Sequence, residues 1–384
     1  MIILDEPYAS DPLLTWMESS QHPVLDNAFA RRVAAEQGRA LNLVDEAEAA
    51  RRIDGGERLY TNAETTLAWV ASHVRNEPLV RAIETFKDKA VMREKLAALD
   101  PDLFFRTCDA SELRSIDFAE LTLPFVLKPA VGFCSAGVYS IHSRADWDVA
   151  LDDIERSTAG WQALYPESVV GTGRFILEGY IGGTEYALDA YFDEEGRTHM
   201  LNVLRHDFVS PEDTSDRMYL TSPELVRDMG ARFAAWLDRV NGIMGVRNFP
   251  VHVEVRVDGD AIRPIEFNPL RFAGLGGTDV AYYAYGYLTA QKFLEGEEPD
   301  WDAAFAGREG KCYTMSLLAP PAGAQGAFDY DAFSARFSHV IELRRFDVDT
   351  VGFYGFLFME TDASTAGELD FLMHADLAEF LRTA

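Results

Sequence analysis

The strand-turn-strand segment 249–268 restricts the fold of this chain more than any other part of the sequence. Its first half, residues 249–257, alternates four valines with three polar residues, His252, Glu254 and Arg256. Because successive side chains of a strand point to opposite faces, the valines share one face and the polar residues the other. Residues 258–260 then predict a turn and residues 261–267 a returning strand. The alternation alone is also typical of an ordinary half-exposed strand.

The returning strand adds further oxygen ligands, Glu266 and Asn268. The two glutamates face the same space if the turn has an odd number of residues or the hairpin contains a bulge. A three-residue loop over Asp258–Asp260 pairs Glu254 with Pro264, beside Glu266. Two carboxylates and an amide oxygen suit Mg²⁺, whereas without a cation one carboxylate would protonate. The candidate metal ligands are therefore Glu254, Glu266 and Asn268.

A second candidate locus combines a lysine with a loop of small residues. The chain has 6 lysines against 29 arginines, and Lys128 stands at the end of the predicted strand Pro124–Pro129. The loop Val131–Gly137 follows, and its small residues allow backbone N–H groups to approach an anion. A bare Gly-x4-Gly loop is more often an ordinary connection, but the adjacent lysine favours phosphate binding.

Residues 1–80 alternate four short apolar strands with amphipathic helices. This alternation predicts βαβ units, a parallel sheet and an α/β fold. The Gly-x-Gly-x-x-Gly and Gly-x4-Gly-Lys-Ser/Thr phosphate loops do not occur in this part of the sequence. Further helices are predicted over Pro223–Asn241, ended by Gly242, and over Val280–Phe293. Residues 311–384 follow a strand-helix-strand-strand-helix pattern, a βαββα unit.

Composition excludes several classes of partner. With 35 basic and 63 acidic residues the formal net charge is −28, which disfavours nucleic acid and anionic lipid surfaces. No apolar run approaches the roughly 18 residues of a membrane span. The N-terminus shows no export signal, and the three cysteines lack metal or redox spacing. We therefore expect a cytoplasmic protein that acts on small molecules and binds neither nucleic acid nor membrane.

Five motifs occur in the order seen in the ATP-grasp superfamily. They are Asp-Lys-Ala-Val-Met-Arg at 88–93, Val-Leu-Lys-Pro-Ala at 126–130 with its loop, Leu-Glu-Gly-Tyr-Ile-Gly-Gly-Thr-Glu-Tyr at 177–186, His-Val-Glu at 252–254 and Pro-Ile-Glu-Phe-Asn-Pro at 264–269. Their joint order and spacing are specific, and the match covers roughly residues 1–300. The chain most resembles the carboxylate–amine ligase branch, which includes D-alanine–D-alanine ligase and bacterial L-amino acid ligases.

The resemblance implies a nucleotide site. Lys89 and Lys128 would lie along the ATP phosphates, and the loop Gly132–Gly137 would close over them as a lid. The residues of that loop expected at the phosphates are Gly132, Ser135 and Gly137. Glu178 and the backbone from Gly179 through Tyr180 to Ile181 would meet the adenine edge. Glu185 would hold the ribose hydroxyls.

The resemblance also implies the reacting end of the site. Glu254, Glu266 and Asn268 would bind one or two Mg²⁺ ions, with Mn²⁺ as a substitute. Arg271 would face the acyl phosphate or the substrate carboxylate, although Leu270 stands where the family pattern Asn-Pro-Arg has no residue. The basic residue before the metal-binding acid is His252, which carries less charge at neutral pH than the family residue.

The resemblance divides the chain into four parts. Residues 1–80 would be an N-terminal α/β domain, 81–178 the small ATP-grasp lobe with its linking helices, and 179–310 the large lobe with the metal site. Residues 311–384 would be an appendage outside the family core. This appendage would serve either as a substrate lid or as a contact in a homodimer, and the sequence does not decide between the two.

We therefore predict an ATP- and Mg²⁺-dependent ligase that activates a small carboxylate, an amino acid, as an acyl phosphate and joins it to an amine. One alternative within the fold phosphorylates or carboxylates a carboxylate or bicarbonate without forming such an amide. Another is a non-catalytic ATP-binding regulator. The three metal candidates together argue against the regulator, because ATP binding alone does not require a complete metal set.

Overall fold

The computed structural model of the chain describes residues 1–131, 137–164, 173–210, 213, 215–321 and 323–382, with the backbone alone for 157–164. The N-terminal part is a parallel four-stranded sheet in the order β3-β2-β1-β4. Its elements are β1 (Ile2–Ile3), α1 (Asp11–Ser20), β2 (Pro23–Leu25), α2 (Ala28–Gln37), β3 (Asn42–Val44), α3 (Glu46–Asp54), β4 (Tyr60–Thr61) and α4 (Thr66–His73). The parallel sheet expected from the alternating pattern is confirmed.

Two linking helices, α5 (Glu77–Lys87) and α6 (Lys89–Leu96), lead to a second, antiparallel sheet. Asp88 ends α5 and caps α6, since its carboxylate accepts from the N–H groups of Ala90 and Val91. The sheet has the order β5-β8-β6-β7. Its elements are β5 (Phe105–Asp109), β6 (Phe125–Pro129), β7 (Tyr139–Ile141), α7 (Arg144–Leu164) and β8 (Arg174–Gly179).

The largest sheet is antiparallel and has eight strands in the order β13-β12-β9-β10-β11-β14-β17-β16. The remaining elements are β9 (Thr184–Phe192), β10 (Thr198–Asp207), β11 (Met218–Thr221), α8 (Pro223–Met244), β12 (Phe249–Asp258), β13 (Ala261–Pro269), α9 (Val280–Tyr285), α10 (Thr289–Glu295), α11 (Trp301–Phe305), β14 (Cys312–Leu318), β15 (Ala327–Phe328), α12 (Tyr330–Ser334), β16 (Val340–Arg345), α13 (Val348–Val351), β17 (Gly355–Thr361), α14 (Gly367–His374) and β18 (Leu381–Arg382).

Packing fixes which face of β12 points into the site. Val251, Val253 and Val255 are fully buried in the same core as Phe233 and Leu237 of α8. Burying one valine stabilises the fold by about 1.5–3 kcal/mol. A one-residue slip of register would expose all three valines, so the polar face of β12 is held in place by the core behind it.

Two helix boundaries predicted from the sequence are wrong. Gly242 lies inside α8, which ends at Gly245, where φ is 67° and the N–H donates to the Asn241 carbonyl. The predicted helix Val280–Phe293 is broken by Gly286, where φ is 81°. Both helices end where a glycine adopts the left-handed conformation that other residues avoid.

The C-terminal unit adds three strands to the eight-stranded sheet, and its β15 and β18 pair in a separate two-stranded sheet. Strand β14 pairs with β11, β17 with β14, and β16 with β17. Helices α12 and α14 cover one face of these strands. Within the described ranges, no helix combines the length and the apolar composition needed to cross a bilayer.

Candidate active site

The hairpin β12–β13 brings two carboxylates directly opposite each other. Glu254 pairs with Glu266, and Val255 pairs with Pro264, so that Ile265 forms a bulge between them. The predicted three-residue loop and the pairing of Glu254 with Pro264 are wrong, because Asp258 pairs with Ala261 around a two-residue turn. Such a turn alone would pair Glu254 with Ile265. The bulge shifts the register and returns Glu266 to the face of Glu254.

The two carboxylates have different surroundings. Lys89 Nζ lies 2.9 Å from Glu266 Oε2, and Asn268 Nδ2 donates to Glu266 Oε1 at 3.0 Å. Burial would raise the pKa of Glu266, but Lys89 and the Asn268 amide outweigh burial and lower this pKa. Burial and the neighbouring Glu266 raise the pKa of Glu254 well above its usual value. Without a cation, one carboxylate of the pair is charged and the other favours its proton.

This donor set fits a divalent metal ion. The side chains of Glu254 and Glu266 keep 23% and 27% of their surface accessible. A cation between them would compensate their mutual repulsion. The Asn268 oxygen, which here accepts from Arg271 Nη2 at 2.6 Å, would be a third hard ligand once it turns to the ion. Over the part of the chain that the structure describes, no group of three or more His, Cys, Asp or Glu side chains surrounds a common point. The candidate metal site would therefore consist of two carboxylates and an amide, with substrate and water completing it.

Arg271 follows the end of β13 and lies beside Asn268. Its Nη2 donates to Asn268 Oδ1 at 2.6 Å, and the same nitrogen is 3.8 Å from Glu64 Oε2. The chain reaches this position because Leu270 adopts φ 61° and buries its side chain completely. Glu64 also pairs with Lys87. The extra residue before Arg271 is therefore accommodated by one left-handed turn.

Lys128 ends β6 in a buried ion-pair cluster. Its Nζ donates to Glu178 Oε2 at 2.9 Å, and Arg93 of α6 pairs with Glu178 Oε1. Arg93 also donates to the Pro264 carbonyl on β13 at 2.6 Å. Burial lowers the pKa of Lys128 despite Glu178, whereas Lys128 and Arg93 hold the pKa of Glu178 below its usual value against burial. The cluster therefore connects the four-stranded antiparallel sheet, helix α6 and the hairpin β12–β13.

Glu185 is the second residue of β9, close to the segment 180–183 that joins the two antiparallel sheets. Its two oxygens accept from His206 Nδ1 and Arg256 Nε, each at 2.9 Å. Arg256 also donates to the Ile181 carbonyl at 2.8 Å and lies 5.7 Å from the Tyr180 ring centroid. Arg256 thus joins Glu185, which the resemblance places at the ribose, to Tyr180 and Ile181, which it places at the adenine. Their roles remain predictions.

His252 is oriented by a buried carboxylate. Its Nδ1 donates to Asp189 Oδ1 at 2.7 Å, and its Nε2 lies 3.9 Å from Glu254 Oε1. Asp189 is fully buried and also accepts from the Ala273 N–H at 3.1 Å and the Thr278 hydroxyl at 2.7 Å. These donors fix the imidazole with Nε2 toward the carboxylate pair.

The predicted site residues fall into three groups. One group meets around the hairpin: Lys89, His252, Glu254, Glu266, Asn268 and Arg271. A second group lines the join of the two antiparallel sheets: Lys128, Glu178, Tyr180, Ile181 and Glu185. Gly132 and Ser135 lie outside the described residues, and Gly137 precedes β7 with φ 73°.

Sequence reasoning missed four charged residues of the site, Glu64, Lys87, Arg93 and Asp189. Arg93 lay within a quoted motif, and its place four residues after Lys89 on α6 could have indicated it. Asp189 lies four residues after Glu185 on β9, and the period of two along a strand places both on one face. Nothing local distinguishes Glu64 or Lys87, because their contacts come from distant parts of the chain.

Comparisons with known protein families and solved structures agree with the fold described above. The sequence model of the ATP-grasp domain matches residues 121–279. The L-amino acid ligase from Bacillus licheniformis is 16% identical with a TM-score of 0.70, covering 99% of this chain and 97% of that chain. N5-carboxyaminoimidazole ribonucleotide synthetase from Thermotoga maritima is 16% identical with a TM-score of 0.60, covering 99% and 98%. Biotin carboxylase from Campylobacter jejuni is 12% identical with a TM-score of 0.61, covering 94% and 87%.

At these identities the structural likeness concerns the fold. No curated protein sequence matches the chain. The domain match confirms the ATP-grasp domain expected from the motifs, and the structural likeness agrees with its fold. Residues 121–279 are thus an ATP-grasp domain, and over nearly its whole length the chain shares the fold of an L-amino acid ligase.

Proposed function

We propose that this protein is an ATP- and Mg²⁺-dependent ligase that activates a small carboxylate, an amino acid, as an acyl phosphate and joins it to an amine. The observation that carries the proposal is the opposed pair Glu254–Glu266 with Lys89 on one side and Arg271 on the other. Oxygen ligands for a metal and cations for phosphoryl and carboxylate groups thus lie within hydrogen-bond distance of one another. The similarity in fold to an L-amino acid ligase supports this substrate class.

A carboxylate is a poor electrophile because its charge is delocalised. In the proposed reaction a carboxylate oxygen takes the γ-phosphoryl group, the bond to ADP breaks, and an acyl phosphate forms. The amine nitrogen then attacks the acyl carbon, phosphate leaves, and the nitrogen loses a proton. The protein contributes alignment and charge compensation.

Individual residues divide this work. Lys89 and Lys128 would neutralise phosphate oxygens, and Glu185 would hold the ribose. Arg271 would orient the substrate carboxylate or its acyl phosphate, while His252 keeps its Nε2 toward Glu254. Magnesium held by Glu254, Glu266 and Asn268 would add charge stabilisation at the transferring phosphoryl group. Closure of the loop that contains Gly132, Ser135 and Gly137 would exclude water, which otherwise hydrolyses the acyl phosphate.

A second candidate activates bicarbonate or another carboxylate without forming an amide with an amino acid. It is favoured by the similarity in fold to a carboxyaminoimidazole ribonucleotide synthetase and to a biotin carboxylase. ADP and phosphate release across amino acids, singly and in pairs, and with bicarbonate separates the two. We expect release that requires two amino acids. Release with bicarbonate alone would favour the second candidate, and ATP binding without release would contradict both.

Glu266→Gln tests the carboxylate pair. The substitution keeps the side-chain shape but removes the charge beside Lys89, so we expect kcat to fall by about 10²- to 10³-fold. Steady-state ADP release measures this, and thermal melting checks the fold. Asp258→Asn is the matched control, because Asp258 is an exposed acid on the same hairpin. Equal losses in both variants, or a loss of fold that accounts for the loss of activity, would contradict the metal role.

A further inference from the structure

The loop 270–279, which connects the hairpin to α9, is held in an unfavourable backbone conformation. Leu270, Leu275 and Gly276 all have positive φ, at 61°, 55° and 72°. A residue with a side chain in this region costs about 1–2 kcal/mol relative to the right-handed region. Such conformations persist where surrounding contacts determine them, and they often occur at functional sites.

One anchor of the loop lies inside the site. Asp189 accepts hydrogen bonds from Ala273 N–H and the Thr278 hydroxyl while it also holds His252. Arg271 stands at the beginning of the loop, and its Nη1 donates to the Phe272 carbonyl at 3.1 Å. The loop is therefore connected both to His252, through Asp189, and to Arg271, the two residues expected at the reacting groups.

The second anchor comes from the C-terminal unit. Arg344 of β16 is 4% exposed, and its guanidinium donates to the Gly276 carbonyl at 2.9 Å and to Asp279 Oδ2 at 2.8 Å. The same guanidinium contacts Glu342 and lies 5.1 Å from the Tyr8 ring centroid. A Cβ at Gly276 would lie 2.5 Å from Arg344 Nη1. The fork of one arginine thus holds the far end of the loop against the N-terminal segment.

We propose that Arg344 is a positioning residue that sets the placement of Arg271, and with it the binding of the carboxylate substrate, from the C-terminal unit. The inference rests on the ligase proposed above, and it gives residues 311–384 a role in the reaction. Loss of the guanidinium fork would release Gly276 and Asp279, so the strained turns at Leu270 and Leu275 could relax. Arg271 would then lose its orientation, whereas the nucleotide contacts of Lys128 and Glu185 would remain.

Arg344→Met, Arg344→Lys and Arg345→Met test the inference. Methionine fills the space without charge, and lysine keeps the charge but cannot hold the Gly276 carbonyl and Asp279 together. Arg345 is the matched control, since it is the next residue of β16, is 58% exposed and pairs with exposed Asp331. For Arg344→Met we expect KM for the carboxylate substrate to rise by up to about 10²-fold. KM for ATP should change by less than about twofold. For Arg344→Lys we expect a KM for the carboxylate substrate between those of the wild type and Arg344→Met.

Hydrogen–deuterium exchange provides a readout that does not need turnover. In Arg344→Met, peptides over 271–279 should exchange at least about tenfold faster, while β14 and β17 keep their protection. Unchanged loop exchange would overturn the inference, as would a lowered melting temperature with both KM values unchanged. If the wild type turns over no carboxylate, the proposed ligase fails, and the exchange experiment still decides whether Arg344 holds the loop.

Discussion

Glu178 lies between two cations from different elements, Lys128 on β6 and Arg93 on α6. All three residues are at least 95% buried. A buried ion pair stabilises little relative to apolar residues, but removing one partner leaves an uncompensated charge. In this cluster the single anion serves two cations, so Glu178 is the member whose loss costs most.

Glu178→Gln should therefore lower the unfolding free energy by about 3–5 kcal/mol at neutral pH. Because the cations hold the pKa of Glu178 below its unfolded value, its contribution is complete above the usual glutamate pKa of about 4.3 and is lost as pH falls through the folded value. Urea denaturation of the wild type and Glu178→Gln at a series of pH values from 7 downward measures this. The difference between their unfolding free energies should decrease in acid.

The control for this prediction is Glu155→Gln. Glu155 pairs with Arg114 on the surface, where both side chains are about half exposed or more. Its loss should change stability much less than that of Glu178. Similar losses in the two variants, or a difference that stays constant in acid, would show that Glu178 is not the compensating anion.

At the scale of elements, local patterns predicted most strands and helices. The alternation along 249–257 acts within a few neighbours, which the sequence displays. The bulge at Ile265 was foreseen as one of two ways to align the carboxylates, but its choice over an odd loop depends on pairing with β12. Which glycine ends a helix depends likewise on packing, so Gly242 and Gly245 could not be distinguished in advance.

The proximity of the candidate site residues was predictable where they lie on one hairpin or in a family motif. Asp189 shares a face of β9 with Glu185, but its contact with His252 spans 63 positions, and Glu64 of the N-terminal part contacts Arg271. No pattern over a few residues reports such distances. Long-range contacts of this kind become visible when the fold brings the elements together.

Helix α6 and the hairpin are joined by the Lys89–Glu266 ion pair, which places an ammonium where a metal ion would compete. In the nucleotide-free protein Lys89→Met should therefore strengthen Mn²⁺ binding by about tenfold, equivalent to about 1.4 kcal/mol. Calorimetry or electron paramagnetic resonance measures this without turnover. Lys95→Met removes the same charge from an exposed position on α6 and is the control. Equal Mn²⁺ affinity in the wild type and Lys89→Met would show that the pair does not oppose metal entry.

At the scale of the whole molecule, the eight-stranded sheet connects the site to the C-terminus without interruption. Strands β12 and β13 carry the carboxylates at one edge, while β14, β17 and β16 form the opposite end. Pairing with its neighbours sets which face of each strand is polar. Strand β14 pairs with β11 along its full length. The C-terminal unit therefore completes the sheet that holds the site.

Removal of residues 311–384 should consequently cost folding as well as activity. It would expose the backbone of β11 and the apolar face that includes Met218 and Leu220, and such an edge favours aggregation. We expect the chain ending at residue 310 to be aggregated or to melt well below the full chain, as measured by light scattering and circular dichroism. A protease site inserted between Gly307 and Gly310 is the control, since the nicked fragments should stay associated through β11 and β14. A monomeric 1–310 chain with unchanged melting temperature and ATP affinity would show that the C-terminal unit is a dispensable appendage.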